Sequence, residues 1–419
     1  MQSLPPHQAR HTITAQPLTT HQLLTTLFCL SAAWLCYVYV GYGSLVWLRR
    51  LVLKRAPSPT PEGTPTERPS RVSIIVALHN GEGVIDAKIA DCLRQEMPAS
   101  SLEVVVASDA STDATEAIAR RWQDGCVRLV SSSQRQGKEA AQRRAIEAAD
   151  SEILVFTDAA ISLQPGALAA LVDSFADPKV GCVSGVDRLA DPNGRAAGES
   201  AFVRYDTWLK HQESLGGSTV GNSGWLFAIR RSLCDDWPQD LPSDFTMALR
   251  TVRAGQRSIV QPAAVAVGGS VPSEEHELRR KVRTMVRGMA ALRAHRDLLD
   301  PTRHGFFAVQ LWSHKILRWL LPIPMLGLLA SSGLLALGSP NSGSPDSIFP
   351  DSGSPFFITV FAAQALFWAL GIVTPRPRLP RYFAVTTAAA LLAAWQYGRG
   401  KRYVHWQPSV RTLREAEEL

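Results

Sequence analysis

Short apolar runs separated by amphipathic stretches mark the chain between about residue 71 and residue 160. The runs VSIIVAL (72–78), LEVVVAS (102–108), VRLVSS (127–132) and EILVFTD (152–158) are rich in β-branched residues and have the length of strands. Such continuous runs are typical of strands covered on both faces. Each of the first three runs is followed by apolar residues at helical spacing or by helix-capping residues. The pattern predicts an α/β fold with a mostly parallel sheet and helices on both faces.

Longer apolar runs near both ends of the chain predict membrane helices. Leu23 to Trp47 is a stretch of 25 residues without a charge, long enough to cross a bilayer as a helix. Trp319 to Gly338 and Phe356 to Thr374 are similar runs of 20 and 19 residues. For a further run of 17 residues, Tyr382 to Gly398, a short span, a re-entrant helix and an interfacial helix all remain open. We expect one N-terminal and two or three C-terminal transmembrane helices.

The charges beside the first apolar run predict its orientation. Arg49, Arg50, Lys54 and Arg55 follow this run, whereas only Arg10 precedes it. This order argues against a cleaved signal peptide, whose basic residues come first. The positive-inside rule then places the N-terminus outside and the following domain in the cytoplasm. We expect an integral, multi-pass protein of a bacterial inner (plasma) membrane.

These runs predict the domain boundaries. Residues 1–22 would be an extracytoplasmic tail, 23–48 a transmembrane helix, 49–70 a basic and then Pro-rich linker, and 71–308 the soluble domain. Residues 309–419 would be a C-terminal membrane region and tail, with spans at about 319–338 and 356–374 and the open case at 382–398. The loop between the first two C-terminal spans has acidic but no basic residues, as expected on the outer side.

Composition excludes several classes of protein. Hydrophobic residues make up 46% and charged residues 19%, which excludes disorder throughout. The net charge of +7 comes from 44 basic and 37 acidic residues, and much of the excess adjoins apolar runs, so it does not indicate a nucleic-acid surface. The six cysteines include no C-x-x-C pair, which argues against a disulfide framework and a zinc site. Dinucleotide-binding, Walker, H-E-x-x-H and G-x-S-x-G motifs do not occur.

Polar residues follow the predicted strands. In a doubly wound sheet, ligands bind beyond the carboxyl ends of the strands. Asn80, Asp109 and Asp158 come at or after three strand ends, and Lys138 begins the helix that follows the third strand. These four residues are therefore expected at a ligand site.

Four segments in order resemble the family-2 glycosyltransferases with a GT-A fold, in the membrane-bound inverting branch that includes cellulose-, chitin- and hyaluronan-synthase-like enzymes. The segments are VSIIVALHNGEGVI (72–85), VVVASDASTDAT (104–115), QGKEAAQRRAI (136–146) with EILVFTDAA (152–160), and LPSDFTMALRTVRAGQR (241–257) with RRKVRTMVRG (279–288). They are similar to the strand with its polar H/Y-N-E turn, the D-x-S-x-D loop, the G-K helix with the D-x-D strand end, and the acceptor acid with the Q-x-x-R-W helix.

The resemblance implies roles for the matched residues. Asp244 would be the general base that takes the proton from the acceptor hydroxyl. Asp158 would hold a divalent Mg or Mn ion, because hard cations prefer carboxylate oxygens. Gly224 and Trp225, in GNSGWLFAIRRSL (221–233), would bind the acceptor. The donor would contact Asn80, Glu82, Asp109, Lys138, Asp158, Arg280 and Arg283.

The sequence departs from the family pattern at three places. Ala160 replaces the second acid of D-x-D, which removes one metal ligand. Ser243 replaces the first of two acids before Phe245, and in the Q-x-x-R-W motif Arg280 replaces the Gln and Thr284 replaces the Trp. Because that Trp commonly helps to bind the acceptor of polymerising enzymes, its absence weakens the hypothesis of a processive polymerase.

Structural roles remain open for the same residues. Asp158 could be a cap or turn residue, and Asp109 and Asp244 could each cap a following helix, which for Asp244 would start directly after it. Trp225 could belong to the core. The basic helix with Arg280 and Arg283 could lie on anionic lipid.

The expected function is transfer of a sugar from a nucleotide-sugar donor to a glycan or lipid-linked acceptor by a membrane-anchored inverting glycosyltransferase, in cell-surface polysaccharide or glycolipid synthesis. Two alternatives remain open. A polyprenyl-phosphate glycosyltransferase would attack with an ionised phosphate and would not need Asp244 as a base. A non-catalytic subunit of a polysaccharide assembly complex would explain Ala160. The lipid bilayer is an expected partner, further assembly subunits stay open, and nucleic acid is not expected.

Overall fold

The computed structural model of the chain describes residues 19–53, 69, 71–97, 101–123, 125–190, 197–269, 273–338, 350–374 and 378–403. Most of the predicted linker, most of the loop between the first two predicted C-terminal spans, and residues 404–419 lie outside the described residues.

Eight strands join one sheet within the described residues, in the order β3-β2-β1-β4-β7-β6-β8-β5. They are β1 (Val72–Leu78), β2 (Leu102–Asp109), β3 (Val127–Ser132), β4 (Ile153–Asp158), β5 (Ser162–Leu163), β6 (Val180–Ala190), β7 (Leu226–Arg230) and β8 (Arg257–Gly269). The four predicted strands are confirmed and pair in parallel, with Val72 opposite both Leu102 and Ile153.

The prediction of a mostly parallel sheet requires a correction, because the sheet as a whole is mixed. Strand β7 is antiparallel to both β4 and β6, and β5 is antiparallel to β8, whereas β6 and β8 are parallel. A buried apolar run indicates that a strand is covered, but it does not encode the direction in which the strand enters the sheet.

The described residues form the helices α1 (Thr20–Cys36), α2 (Tyr42–Leu53), α3 (Ile85–Leu93), α4 (Thr115–Arg120), α5 (Lys138–Ala148), α6 (Ala167–Asp173), α7 (Ala197–Gly216), α8 (Ser243–Arg253), α9 (Glu274–Ala294), α10 (Pro301–His304), α11 (Phe306–Leu311), α12 (Leu317–Trp319), α13 (Pro322–Leu337), α14 (Pro355–Val373) and α15 (Arg378–Gly398). A π-helical turn, Tyr37–Gly41, joins α1 to α2, and a second one, Trp312–Ile316, joins α11 to α12.

Helices cover both faces of the sheet, as predicted. Alternate residues of β1 enter different cores, because side chains alternate across a strand. Ile74 packs in a cluster with Ile85 of α3 and Leu168 of α6. Its neighbour Ile75 packs in a second cluster with Ala141 of α5 and Met247 of α8. The sheet is therefore the buried middle layer of the domain, and the carboxyl ends of its strands remain available for a site.

The chain divides into two compact units. The described part of the smaller unit is 19–35, 323–338 and 350–367. Its helices pack through aromatic and small residues: the rings of Phe28 and Phe357 meet edge to face at 5.4 Å, and a Cβ placed on Gly333 would lie 2.9 Å from the ring of Phe361. The larger unit contains the sheet, and its described residues belong to 36–322 and 368–403.

Two helices in the described residues are long and apolar enough to cross a bilayer. They are Thr20–Leu53 and Pro355–Val373, which include most of the predicted runs 23–48 and 356–374. Phe306–Trp319 and Pro322–Leu337 pass the same test only if they form one span across the break between them. Helix α15, which covers the open case at 382–398, does not pass, and its Ala389 and Ala393 pack against Val282 and Val286 of α9.

Close packing at Gly185 in β6 gives a test of the fold. A Cβ at this position would lie 2.8 Å from the carbonyl oxygen of Ala264 in β8, and backbone cannot move aside as a flexible side chain can. We expect Gly185→Ala to lower the free energy of unfolding by about 1–3 kcal/mol, measured as a lower thermal midpoint in detergent. Gly83→Ala is the control, because nothing lies within 4 Å of its Cβ position. Equal midpoints for the two variants would contradict the packing described.

Candidate active site

The polar residues predicted at the strand ends are brought to one edge of the sheet. Strand β2 ends at Asp109 and β4 ends at Asp158. Asp158 lies opposite Ala77 of β1, and these two residues are the last pair between β1 and β4. The arrangement agrees with the general location of ligand sites in open α/β sheets.

Asn80 and Glu82 connect the loop after β1 to the loop after β2. The amide oxygen of Asn80 accepts a hydrogen bond from the backbone N–H of Thr112 at 2.8 Å. The carboxylate of Glu82 accepts one from the N–H of Ala114 at 2.9 Å, and its own N–H donates to Asp113 at 3.1 Å. Both predicted donor-binding residues therefore hold the two loops together, and their contact with a donor stays a prediction.

Asp109 holds the start of helix α5. Its carboxylate accepts hydrogen bonds from the backbone N–H groups of Gln136 at 3.0 Å and Gly137 at 2.7 Å, and it pairs with Arg144 at 3.2 Å. The alternative of a capping role is thus realised, although at α5 and not at α4, the next helix. These protein groups bind a carboxylate that is buried. Direct contact of Asp109 with the base or ribose of a donor stays a prediction.

Lys138, the first residue of α5, forms an ion pair with Asp158. The ammonium nitrogen lies 2.5 Å from Oδ1 of Asp158. Burial alone would lower the pKa of Lys138, but the nearby carboxylates of Asp158, Glu139 and Asp244 outweigh it and raise this pKa above its ordinary value. Lys138 therefore stays charged at neutral pH, and the negative charge of Asp244 contributes to this.

Asp244 lies in the first turn of α8, opposite Gly224. The helix begins at Ser243, two residues earlier than expected, and the N-cap position is Pro242. Asp244 is therefore not the N-cap residue. The side-chain amide of Asn222 donates to the backbone oxygen of Asp244 at 3.1 Å. A Cβ on Gly224 would lie 3.2 Å from Oδ2 of Asp244, so the absence of a side chain there leaves room in front of the carboxylate.

Trp225 has both structural and site contacts. It is half-buried and packs against the core cluster that contains Ile74. Its backbone oxygen accepts a hydrogen bond from the N–H of Asp158 at 3.3 Å. The segment around Trp225 therefore fixes the end of β4, and the role of its ring as a sugar platform stays a prediction.

The two arginines predicted on α9 differ in their surroundings. Arg280 binds Glu277 of the same helix at 2.7 Å. Burial and the neighbouring cations Arg287 and Arg280 lower the pKa of Arg283, whereas Asp158 and Glu139 raise it, so Arg283 lies within electrostatic reach of the site.

A cross-helix ion pair fixes α9 beside α5. Arg287 binds Glu139 at 2.5 Å, and Glu139 directly follows Lys138. Together with Arg144 and Asn222, Glu139 and Arg287 were not predicted as site residues. Arg287 could have been predicted from the sequence, because it follows Arg283 by four residues and therefore lies on the same face of the helix.

The described residues do not form a metal site by themselves. None of them contributes to a group of three or more His, Cys, Asp or Glu side chains with metal-binding geometry. Asp158 could supply one oxygen ligand of the kind that Mg²⁺ and Mn²⁺ prefer, but its Oδ1 is occupied by Lys138. Any further ligands would come from water and from the phosphates of a donor.

Comparisons with known proteins agree with this geometry. Residues 73–237 match the glycosyl transferase family 2. These residues form a family-2 glycosyltransferase domain. The chain is similar to the mannosyltransferase PcManGT of Pyrobaculum calidifontis, solved with GDP-Man and Mn²⁺, with 28% identity and a TM-score of 0.67 over 90% of this chain and all of that one.

Two curated relatives also match part of the chain. The glycosyltransferase AglE of Haloferax volcanii is 29% identical over 39% of this chain and 54% of its own length. The beta-monoglucosyldiacylglycerol synthase of a Nostoc species is 29% identical over 41% of this chain and 39% of its own length. The chain thus spans about half the length of these relatives or less. Asp244 and the arginines of α9 lie beyond the segment that matches the family.

The space in front of Asp244 gives a test of the site. We expect Gly224→Ala to reduce turnover by about tenfold to a hundredfold, because small displacements of a catalytic group have effects of this size. Donor affinity should change little. Gly221→Ala is the control, since its nearest neighbour, a ring carbon of Phe245, would lie at 3.4 Å, an ordinary contact. Normal steady-state turnover of the Gly224 variant would show that this space is not needed.

A second prediction concerns the metal. Because Asp158 is the one acid offered by the D-x-D position and is paired with Lys138, we expect weak binding of Mn²⁺ to the donor-free protein and stronger binding in the presence of a nucleoside diphosphate. Isothermal titration calorimetry measures both. Tight binding of Mn²⁺ without the nucleotide would be the opposite result.

Proposed function

We propose that this protein is a membrane-anchored, inverting glycosyltransferase that moves a sugar from a nucleoside-diphosphate sugar to a hydroxyl group of a glycan or lipid-linked acceptor. The observation that carries the proposal is the convergence of the Lys138–Asp158 ion pair with Asp244 at the carboxyl edge of the sheet. Gly224 leaves room for a reacting group in front of the Asp244 carboxylate.

The proposed reaction is a single displacement. The acceptor oxygen attacks the anomeric carbon from the face opposite the diphosphate, and Asp244 takes the hydroxyl proton as the new bond forms. The bond between the anomeric carbon and the phosphate oxygen breaks, and the nucleoside diphosphate leaves. Lys138 and Arg283 are positively charged groups beside Asp158, and such groups stabilise the charge that develops on a leaving diphosphate.

The relatives support the substrate classes. PcManGT was solved with GDP-Man, which makes GDP-mannose the first donor to test. The relative named beta-monoglucosyldiacylglycerol synthase supports a lipid-linked acceptor. The apolar helices Thr20–Leu53 and Pro355–Val373 support anchoring in a membrane, with the glycosyltransferase domain on the cytoplasmic side according to the charge pattern.

The role of Asp244 can be separated from donor binding. Asp244→Asn keeps the shape of the side chain but removes the proton acceptor, and general-base catalysis is worth about 10²–10⁴-fold in rate. We expect turnover with GDP-mannose and acceptor to fall by this range while donor affinity and folding stay the same. Asp158→Asn should weaken donor binding as well as turnover, because it breaks the ion pair with Lys138.

The measurements are release of nucleoside diphosphate and equilibrium binding of the donor. Asp240→Asn is a matched control, since the same chemical change is made at an exposed aspartate. Near-normal turnover of Asp244→Asn would argue for an acceptor that carries no proton to remove, such as a lipid phosphate.

A further inference from the structure

A pocket beside the candidate active site is not used by the donor side of the proposed reaction. It lies between β6, α7 and β8, and it contains about 520 Å³ of space, part of which is open to solvent. Ser184, Asp187, Asp206, Lys210 and Ser223 supply its polar groups.

The pocket adjoins the loop that carries Gly224, because Ser223 is one of its lining residues. The hydroxyl of Ser223 donates to Asp187 and accepts hydrogen bonds from the backbone N–H groups of Trp225 and Leu226. The residue after Ser223 is Gly224, whose Cα faces the Asp244 carboxylate. The pocket and the space in front of the Asp244 carboxylate are therefore lined by neighbouring residues of one loop, Ser223 and Gly224.

The charges around the pocket are balanced without a ligand. Asp206 binds Lys210 at 3.0 Å and Arg318 at 2.7 Å. Burial alone would raise the pKa of Asp206, but Lys210, His314 and Arg318 hold it well below its ordinary value, so this carboxylate stays ionised. The carboxylate of Asp187 also acts on Lys210 and helps to raise the pKa of that ammonium against the effect of burial. Lys315 and Glu213 act on the same set of groups, so the cations Lys210, Lys315 and Arg318 are matched by the carboxylates of Asp187, Asp206 and Glu213.

We infer that this pocket receives the acceptor, and that Asp187 and Lys210 select a neutral, hydroxyl-bearing head over an anionic lipid phosphate. The inference rests on the proposed function. A carboxylate accepts hydrogen bonds from hydroxyl groups, and an ammonium group donates up to three, so the pair suits neighbouring hydroxyls of a glycerol or sugar. A phosphate would add one or two negative charges to a balanced, partly buried set and would face Asp187. Val186, Val203 and Val260 add apolar wall for the rest of the head.

The test compares matched neutral and anionic acceptors. The full-length protein in phosphatidylcholine nanodiscs is given GDP-mannose, or whichever nucleotide sugar it hydrolyses without acceptor, together with one of four probes. The probes form two pairs that differ by a phosphate: dioleoylglycerol with dioleoyl phosphatidic acid, and undecaprenol with undecaprenyl phosphate. Formation of glycosylated lipid and release of nucleoside diphosphate are both measured.

We expect a neutral probe to be used at least about tenfold faster than its anionic counterpart. Asp187→Asn should reduce this ratio by about tenfold, because hydrogen bonds to a charged group are worth about that factor. Lys210→Met should slow transfer to the neutral probe and leaves Asp206 paired with Arg318 and His314. Asp240→Asn, at an exposed aspartate, is the control.

Three results would overturn the inference while acceptor-independent donor hydrolysis persists. They are preference for the phosphate member of a pair, no use of either neutral probe, and an equal fall of both rates in Asp187→Asn, which would show a merely structural role. If the wild-type protein binds and hydrolyses none of the nucleotide sugars, the proposed function fails as well, and the two failures are thereby distinguished.

Discussion

The ion pair between Lys138 and Asp158 is the interaction on which the geometry of the site depends. It joins the end of β4 to the start of α5 at the sheet edge, with 2.5 Å between the charged atoms. Lys138 reaches this position because Asp109, at the end of β2, binds the N–H groups of the two residues before it. One carboxylate thus orients the helix and another binds its first side chain, so that two strands and one helix define the position of a single cation.

Elements from the second half of the chain complete the site around this ion pair. Helix α9 is held beside α5 by Arg287 and Glu139, which brings Arg283 within electrostatic reach of Asp158. Helix α8 supplies Asp244, and Asn222 binds the backbone of that residue. In the proposed function, Lys138 and Arg283 would supply positive charge for the leaving diphosphate, and Asp244 would supply the base for the acceptor.

The sequence was sufficient to predict the parallel half of the sheet and the clustering of Asp109, Lys138 and Asp158. Continuous apolar runs indicate buried strands, and the carboxyl ends of parallel strands meet at one edge. The antiparallel direction of β7 was not predictable in this way, because strand direction depends on how the intervening helix returns the chain. The partners of Asp109 were also missed, since they lie 27 and 28 residues away in sequence. Asn80 and Glu82 were predicted as site residues from their residue types. Their hydrogen bonds to the loop after β2 depend on the three-dimensional structure and were not predicted.

The acceptor side depends on residues that lie outside the segment matched to family 2. Residues 73–237 include Asp206 and Glu213 of α7, and these two carboxylates bind side chains from outside that segment. His314 binds both Asp206 at 3.0 Å and Glu213 at 2.7 Å, and Tyr42 of α2 donates to Glu213 at 2.5 Å. Replacing a helix that holds α7 would therefore alter the acceptor pocket without changing the ion pair at the donor side.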